Sequence, residues 1–205
     1  MRTTKKIICI LLTLVLCFSL SLGTASAADP DRIFPDVPVD AEYAPILDVL
    51  FDMGVFEGDG RGYFNPDNTI TRAEVTAIIC RILGEEEMAQ SITTAPFTDV
   101  PDNIWYTGYI AMAYNLGIVE GYGKSGNFGP NDPVTYEQMV TMLIRAWGYS
   151  WRAEEEGGYP NGFLAIAEEK GVLNGTEAKI GTPALRKTVA VLVYNILQID
   201  RFFEY

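Results

Sequence analysis

Two arginines, Arg72 and Arg186, sit where helix stability alone would not place a cation. Thr71-Arg72-Ala73-Glu74 opens an apolar stripe at Val75, Ile78, Ile79 and Ile82, the i, i+3, i+4, i+7 spacing of one helix face. Arg72 therefore falls in the first helical turn, where the macrodipole disfavours a positive charge by some tenths of a kcal/mol. Matching stripes starting at Met139 and Val189 put Tyr136 and Arg186 at the same place in two further segments. A cation kept twice against the dipole suggests an anion to meet. Helix-start N–H groups, a glycine-bearing loop and a guanidinium fork together suit a carboxylate or phosphate. A solvated arginine, or one paired with the many loop acids, fits the same residues equally well.

Trp105 and Tyr106 supply a second kind of chemistry, an aromatic surface beside polar loops, with Glu42 and Tyr43 at the matching places earlier in the chain. Such a platform stacks sugars; burial in the core is the competing use. Other chemistries are closed off. The chain has no histidine, which removes Ser/His/Asp and Cys/His nucleophilic systems and His-based zinc sites. The acids sit in linkers, loops and caps, and no pair is marked out by spacing for glycoside hydrolysis. No catalytic residue, metal or cofactor is expected. Asp59-Gly60-Arg61-Gly62 and Asn65-Pro66-Asp67-Asn68 resemble a calcium loop only on the surface. Counting from Asp59 puts Arg61 and Tyr63 at the third and fifth ligand positions, and counting from Asp67 puts Thr69 and Thr71 there, so both stretches read as turns.

These residues are carried by a repeated unit. Gly54–Leu83 reads as a helix end, a glycine-rich loop and a second helix opened by a T-x-x-E capping box, Thr71 with Glu74. Gly117–Trp147 repeats it, with Thr135 and Gln138 as the box and Met139, Met142, Leu143 and Ala146 as the stripe. Gly171–Leu197 is a worn copy, with Val189, Leu192, Val193 and Ile196 as its stripe. Glu57-Gly58 matches Glu120-Gly121, Phe64 matches Phe128, and Pro66 matches Pro130; the aromatic is expected to plug each loop onto the core. Each unit's first helix is expected at about 43–53 (Ile46, Leu47, Leu50 and Phe51 inward), 105–116 and 162–170, ending at Gly54, Gly117 and Gly171 as left-handed residues. In the third copy Thr182 is expected as the cap, with Pro183 at the first helical position. One helix pair cannot bury its stripe alone, and three facing one another can. The expected fold is all-α, three helix–loop–helix repeats in a pseudo-threefold, three-pronged bundle with grooves between neighbours.

Arg2, Lys5 and Lys6 precede an apolar run from Ile7 to about Leu22, and Ala25-Ser26-Ala27 is a small-residue cleavage site, so 1–27 reads as a signal peptide. Neither Cys9 nor Cys17 follows a small residue, which argues against a lipoprotein signal. The remaining parts are an arm at 28–33, repeats at 34–84, 97–148 and 161–200, linkers at 85–96 and 149–160 with acidic runs expected as solvated faces, and a tail at 201–205. Cleavage would leave 12 basic against 27 acidic residues, a net charge of −15. That excludes nucleic acid and anionic membrane surfaces as partners unless a local basic patch exists, and no Lys/Arg run supplies one. No second apolar run is long enough to span a membrane. Cys80 is the one cysteine of the cleaved chain, expected to pack beside Ile79.

The motifs resemble the S-layer homology (SLH) domain. The resemblance rests on Phe34-x-Asp36-Val37, Gly54-Val55-x-Glu57-Gly58, Phe64-x-Pro66 and Ile70-Thr71-Arg72-Ala73-Glu74, and in the second copy on Phe97-x-Asp99-Val100, Trp105-Tyr106, Gly117-Ile118-Val119-x-Gly121-Tyr122 and Phe128-x-Pro130. It implies a non-enzymatic, exported cell-surface protein anchored non-covalently through pyruvylated secondary wall polymers held in the inter-repeat grooves. In some lineages modified peptidoglycan takes that role. The family's ligand-holding arginine lands on Arg72 and Arg186, its groove tryptophan on Trp105 and its loop glycines on Gly58 and Gly121, with Tyr43 and Tyr106 as neighbouring aromatics. Tyr136 departs from the pattern, and the third copy lacks the opening motif, part of the loop and the box. With little beside the repeats, the alternative expectation is an SLH-only envelope protein whose partly decayed grooves meet a protein partner or peptidoglycan.

Overall fold

The computed structural model describes residues 33–202 apart from 178. The expected signal peptide, most of the arm and the last three residues lie outside this range. The described residues form eight helices and no β-strand: α1 (Ala44–Asp52), α2 (Arg72–Leu83), α3 (Glu86–Ser91), α4 (Thr107–Asn115), α5 (Tyr136–Ala146), α6 (Ser150–Glu155), α7 (Asn161–Glu169) and α8 (Arg186–Ile196). Both expected capping boxes form. Thr71 and Thr135 accept the N–H of Glu74 and Gln138, and those side chains return to the N-cap N–H. Gly54, Gly117 and Gly171 follow the first helices at φ of 68°, 70° and 75°.

The repeats close on themselves. Each long second helix packs against the first helix of the next repeat: α2 on α4, α5 on α7, and α8 back on α1. The extended residues before α2, α5 and α8 form a ring in which Val134 N–H donates to Ile70 (3.0 Å), Ala184 N–H to Val134 (2.9 Å) and Ile70 N–H to Ala184 (3.4 Å). A second set runs parallel to it, with the N–H of Arg72, Tyr136 and Arg186 donating to the carbonyls of Asp132, Thr182 and Asn68. Backbone groups that a lone helix start would leave to water are thus satisfied by the neighbouring repeat. One continuous apolar core runs from Phe34 to Ile196.

The opening motif has a mechanical role. The Asp36 carboxylate accepts the N–H of Phe64 (2.8 Å) and Asn65 (2.6 Å), and Asp99 does the same for Phe128 (2.7 Å) and Gly129 (2.8 Å). Each aspartate clamps a long loop and presses its fully buried phenylalanine onto the core. The third repeat has neither the aspartate nor the full loop. Its α8 also starts differently from expectation: Leu185, not Thr182, is the N-cap, and it makes no side-chain cap bond. Thr182 instead closes a turn, its N–H and hydroxyl donating to the Lys179 carbonyl, while its own carbonyl accepts the N–H of Tyr136 and Pro183 bridges to Thr135 of repeat 2. Phe51 is 41% exposed, edge-on to Phe34, rather than inward. The acidic runs lie at the start of α3 and the end of α6, and Glu86 is no free solvated acid, since it pairs with Arg81 at 2.9 Å.

Candidate functional site

Because each second helix starts against the next repeat's loop, its first residue points across a repeat boundary. Arg72 is buried, 6% exposed. Its Nε donates to the Phe128 carbonyl (2.9 Å) and its Nη2 to that of Glu120 (3.0 Å), with the guanidinium over the rings of Phe128 (4.4 Å) and Tyr122 (4.9 Å). Arg186 repeats the arrangement on repeat 1, Nε to the Phe64 carbonyl (2.7 Å) and over the Phe64 ring (5.1 Å). Burial lowers both guanidinium pKa values from the usual 12.5, yet such groups stay charged at neutral pH. Among the described residues no carboxylate lies within ion-pair reach of Arg72, whereas Arg186 meets Glu74 at 3.5 Å.

Three grooves result, two assembled from all three repeats and one from repeats 1 and 2 with the linker that leads into repeat 3. In the first, Arg72 faces the Glu120–Tyr122 loop and Arg145, with Tyr159 of the linker leading into repeat 3 as the outer wall, around a cavity of about 350 Å³. In the second, Arg186 faces Glu57-Gly58-Asp59 and Arg81, with Trp105 of repeat 2 as the wall, around about 330 Å³. In the third, Tyr136 replaces the arginine and its hydroxyl meets Thr176 Oγ1 at 2.9 Å; Glu42 and Tyr43 of repeat 1 form the wall of a cavity of about 460 Å³.

The sequence candidates are thereby sorted. Arg186, Gly58 and Trp105 come together in the second groove, Arg72 and Gly121 in the first, and Tyr43 stands in the third. Trp105 is 60% exposed, so it is a surface platform rather than a core residue. Tyr106 lines none of these cavities; it precedes α4 and stacks edge-on against Trp105 at 5.2 Å. The glycines line the grooves, but the loop itself requires them. A Cβ at Gly121 would lie 2.7 Å from the Asn127 carbonyl and 2.8 Å from the Phe97 ring, and one at Gly58 would lie 3.1 Å from Phe34. One expectation is corrected. The N–H groups of Arg72 and Ala73 already donate to Asp132 and Pro130, so the helix start has none to offer a ligand there.

Four residues carry no local sequence signal for the grooves. Arg81 and Arg145 lie nine positions after Arg72 and Tyr136, and pair with Glu57 and Glu120, each at 3.3 Å. Asn195 holds the equivalent place in α8 and bonds the carbonyls of Val172 and Asn174. Aligning the last turns as well as the first would have found this set. Tyr159 matches Trp105 in position but is hidden by the lost opening motif.

Such a site offers fixed cations, carbonyls and aromatic walls, and among the described residues no group of three or more His, Cys, Asp or Glu could hold a metal. This is a helical repeat scaffold with grooves between its repeats. The chain belongs to the S-layer homology family: the model described as S-layer homology domain matches residues 33–76 and 96–140. It is 31% identical over 201 residues to the "Cell surface protein" of Thermoanaerobacter kivui, covering 97% of this chain and 25% of that one. It is 31% identical over 194 residues to the "Surface layer protein" of Brevibacillus choshinensis, 93% of this chain and 16% of the relative. It is also 31% identical over 169 residues to "Exoglucanase XynX" of Acetivibrio thermocellus, 75% and 15%. The chain thus spans a quarter or less of these relatives' lengths.

Proposed function

We propose that the inter-repeat grooves bind an anionic cell-wall glycan, a pyruvylated secondary wall polysaccharide, and so hold the protein non-covalently at the bacterial cell surface without catalysing a reaction. The observation that carries this is Arg72: a buried guanidinium fixed by two carbonyls, with no carboxylate on it, facing a groove walled by Tyr122 and Tyr159. Carbonyl and ring contacts orient the cation without a direct ion pair, Asp132 and Asp99 acting on it only from longer range, which suits a carboxylate such as that of a pyruvate ketal. Stacking of a sugar ring on the exposed Trp105 suits the second groove. The relatives support attachment rather than chemistry, since the same stretch is shared with proteins named for the cell surface and with one named as an exoglucanase. Among the described residues no helix is long and apolar enough to cross a membrane.

The test is co-sedimentation of purified protein with isolated cell walls before and after acid removal of the pyruvate ketals. Binding lost with the ketals, and lost in an Arg72→Ala, Arg186→Ala double variant whose helical circular dichroism is intact, supports the reading. Binding that survives ketal removal points instead to peptidoglycan. Failure to bind either preparation favours a protein partner at partly decayed grooves, a reading to which Tyr136 in the third groove gives some weight.

A further inference from the structure

The first and second grooves share a design and differ in charge at one aligned position. Glu74 lines the second groove, and Gln138 holds the same place in the first. Each closes its helix's capping box: Glu74 Oε2 accepts from Thr71 N–H (2.8 Å) and Gln138 Oε1 from Thr135 N–H (3.1 Å). Only Glu74 has a second oxygen to spend as an anion, and Oε1 lies 3.5 Å from Arg186 Nη1. Asp59 adds a further carboxylate to the second groove where the first has Tyr122. Among the lining residues, two arginines face Glu57, Asp59 and Glu74 in one groove and two face Glu120 in the other; Asp132 and Asp99 act on Arg72 only from outside ion-pair distance, and Asp59 is shared with Arg61 at 3.0 Å.

Resting on the reading that the grooves take a glycan carboxylate, we propose that the Glu74/Gln138 pair is the specificity switch between them. Gln138 leaves Arg72 open to the ligand carboxylate, and Glu74 occupies Arg186 in advance. The first groove is the anion-selective site, and the second takes neutral or weakly charged sugar on Trp105. A ligand carboxylate entering the second groove must displace or lie beside the Glu74 oxygen, which costs affinity through like-charge repulsion.

The native protein supplies the control. Glutamate and glutamine each close a capping box here, so Glu74→Gln and Gln138→Glu exchange charge without removing a cap. Calorimetric titration uses methyl 4,6-O-(1-carboxyethylidene)-glucopyranoside as the probe and its methyl ester as the uncharged control. The expected result is one stronger site in the unsubstituted protein, weakened roughly three- to fivefold by Gln138→Glu. Glu74→Gln should raise a second site by a similar factor, with the melting temperature unchanged in both. Two equal sites that neither exchange moves, or shifts in the opposite direction, overturn the inference and leave the glycan reading standing. Acid and ester binding alike in every variant, or no binding of either, removes the carboxylate reading and this inference with it.

Discussion

Phe128 holds Arg72 twice, accepting the guanidinium Nε–H on its carbonyl at 2.9 Å while its ring lies under the same guanidinium at 4.4 Å. The two residues belong to different repeats, so the arginine offered to a ligand is also a fastening between repeats. Arg72→Ala should therefore cost about 2–4 kcal/mol in urea unfolding, from two lost hydrogen bonds and the cation–π contact. Arg72→Lys should recover part of that, because an ammonium cannot keep the Nε geometry. An Arg72→Ala variant as stable as the parent would show that the fastening carries no weight.

Gly108 and Gly162 occupy the second positions of α4 and α7, directly against the ends of the connector helices α3 and α6. A Cβ at Gly108 would overlap the Ala89 carbonyl, and one at Gly162 that of Ala153. Repeat 1 has no connector helix ahead of α1 among the described residues, and Pro45 stands at the matching place. Gly108→Ala and Gly162→Ala should each lower stability by about 2–4 kcal/mol, and Pro45→Ala by less than about 1 kcal/mol. Equal effects at all three positions in denaturant titrations would refute this.

Cys80 is fully buried, with its Sγ directed to the Tyr109 carbonyl at 3.6 Å. Burial, reinforced by the charges of Glu85 and Glu86, pushes its thiol pKa up to about 12. Folded protein should resist thiol reagents at pH 8 and label only on unfolding. In the unfolded chain the thiol ionises near pH 8.5, so folding stability from this group is complete below that pH and falls as pH rises toward 12. Cys80→Ala should flatten the decline between about pH 9 and pH 10; an identical slope would count against it.

Glu86 accepts the Tyr109 hydroxyl at 2.6 Å and pairs with Arg81 at 2.9 Å. The Tyr109 bond, with Arg81 behind it, pulls the Glu86 pKa below its usual 4.5. A depressed carboxylate stabilises the fold above its unfolded pKa and loses that contribution as pH falls through the folded value. Tyr109→Phe should cost about 1 kcal/mol at pH 7, and the gap to the parent should narrow below about pH 4. A gap constant from pH 7 to pH 3 would place the effect in packing instead.

Local signals carried the fold a long way. The boxes at Thr71 and Thr135, the left-handed glycines after each first helix and the buried Phe64 and Phe128 all follow from short-range spacing, and all are present. Local pattern and structure part where a neighbouring repeat decides the outcome. Thr182 looked like a cap because nothing nearby in sequence reveals that its carbonyl is taken by Tyr136. The helix-start N–H groups looked available for the same reason. Arg72 and Arg186 were legible as residues out of place on a helix, but their partners, Phe128 and Phe64, are 56 and 122 residues away. Tyr159 was hidden because the motif that would have aligned it is gone.

The ring of Ile70, Val134 and Ala184 also sets a timetable for folding. Ile70 donates to a residue of the last repeat, and Arg186 bonds a carbonyl 122 positions earlier. A partly synthesised chain therefore holds a first repeat whose polar groups still await their partners. Closing so long a loop is slow, and its reward arrives only at the end. Unlike an open solenoid, which gains stability one repeat at a time, this chain gains the bonds of its ring only when its third repeat is in place. It then locks in one step.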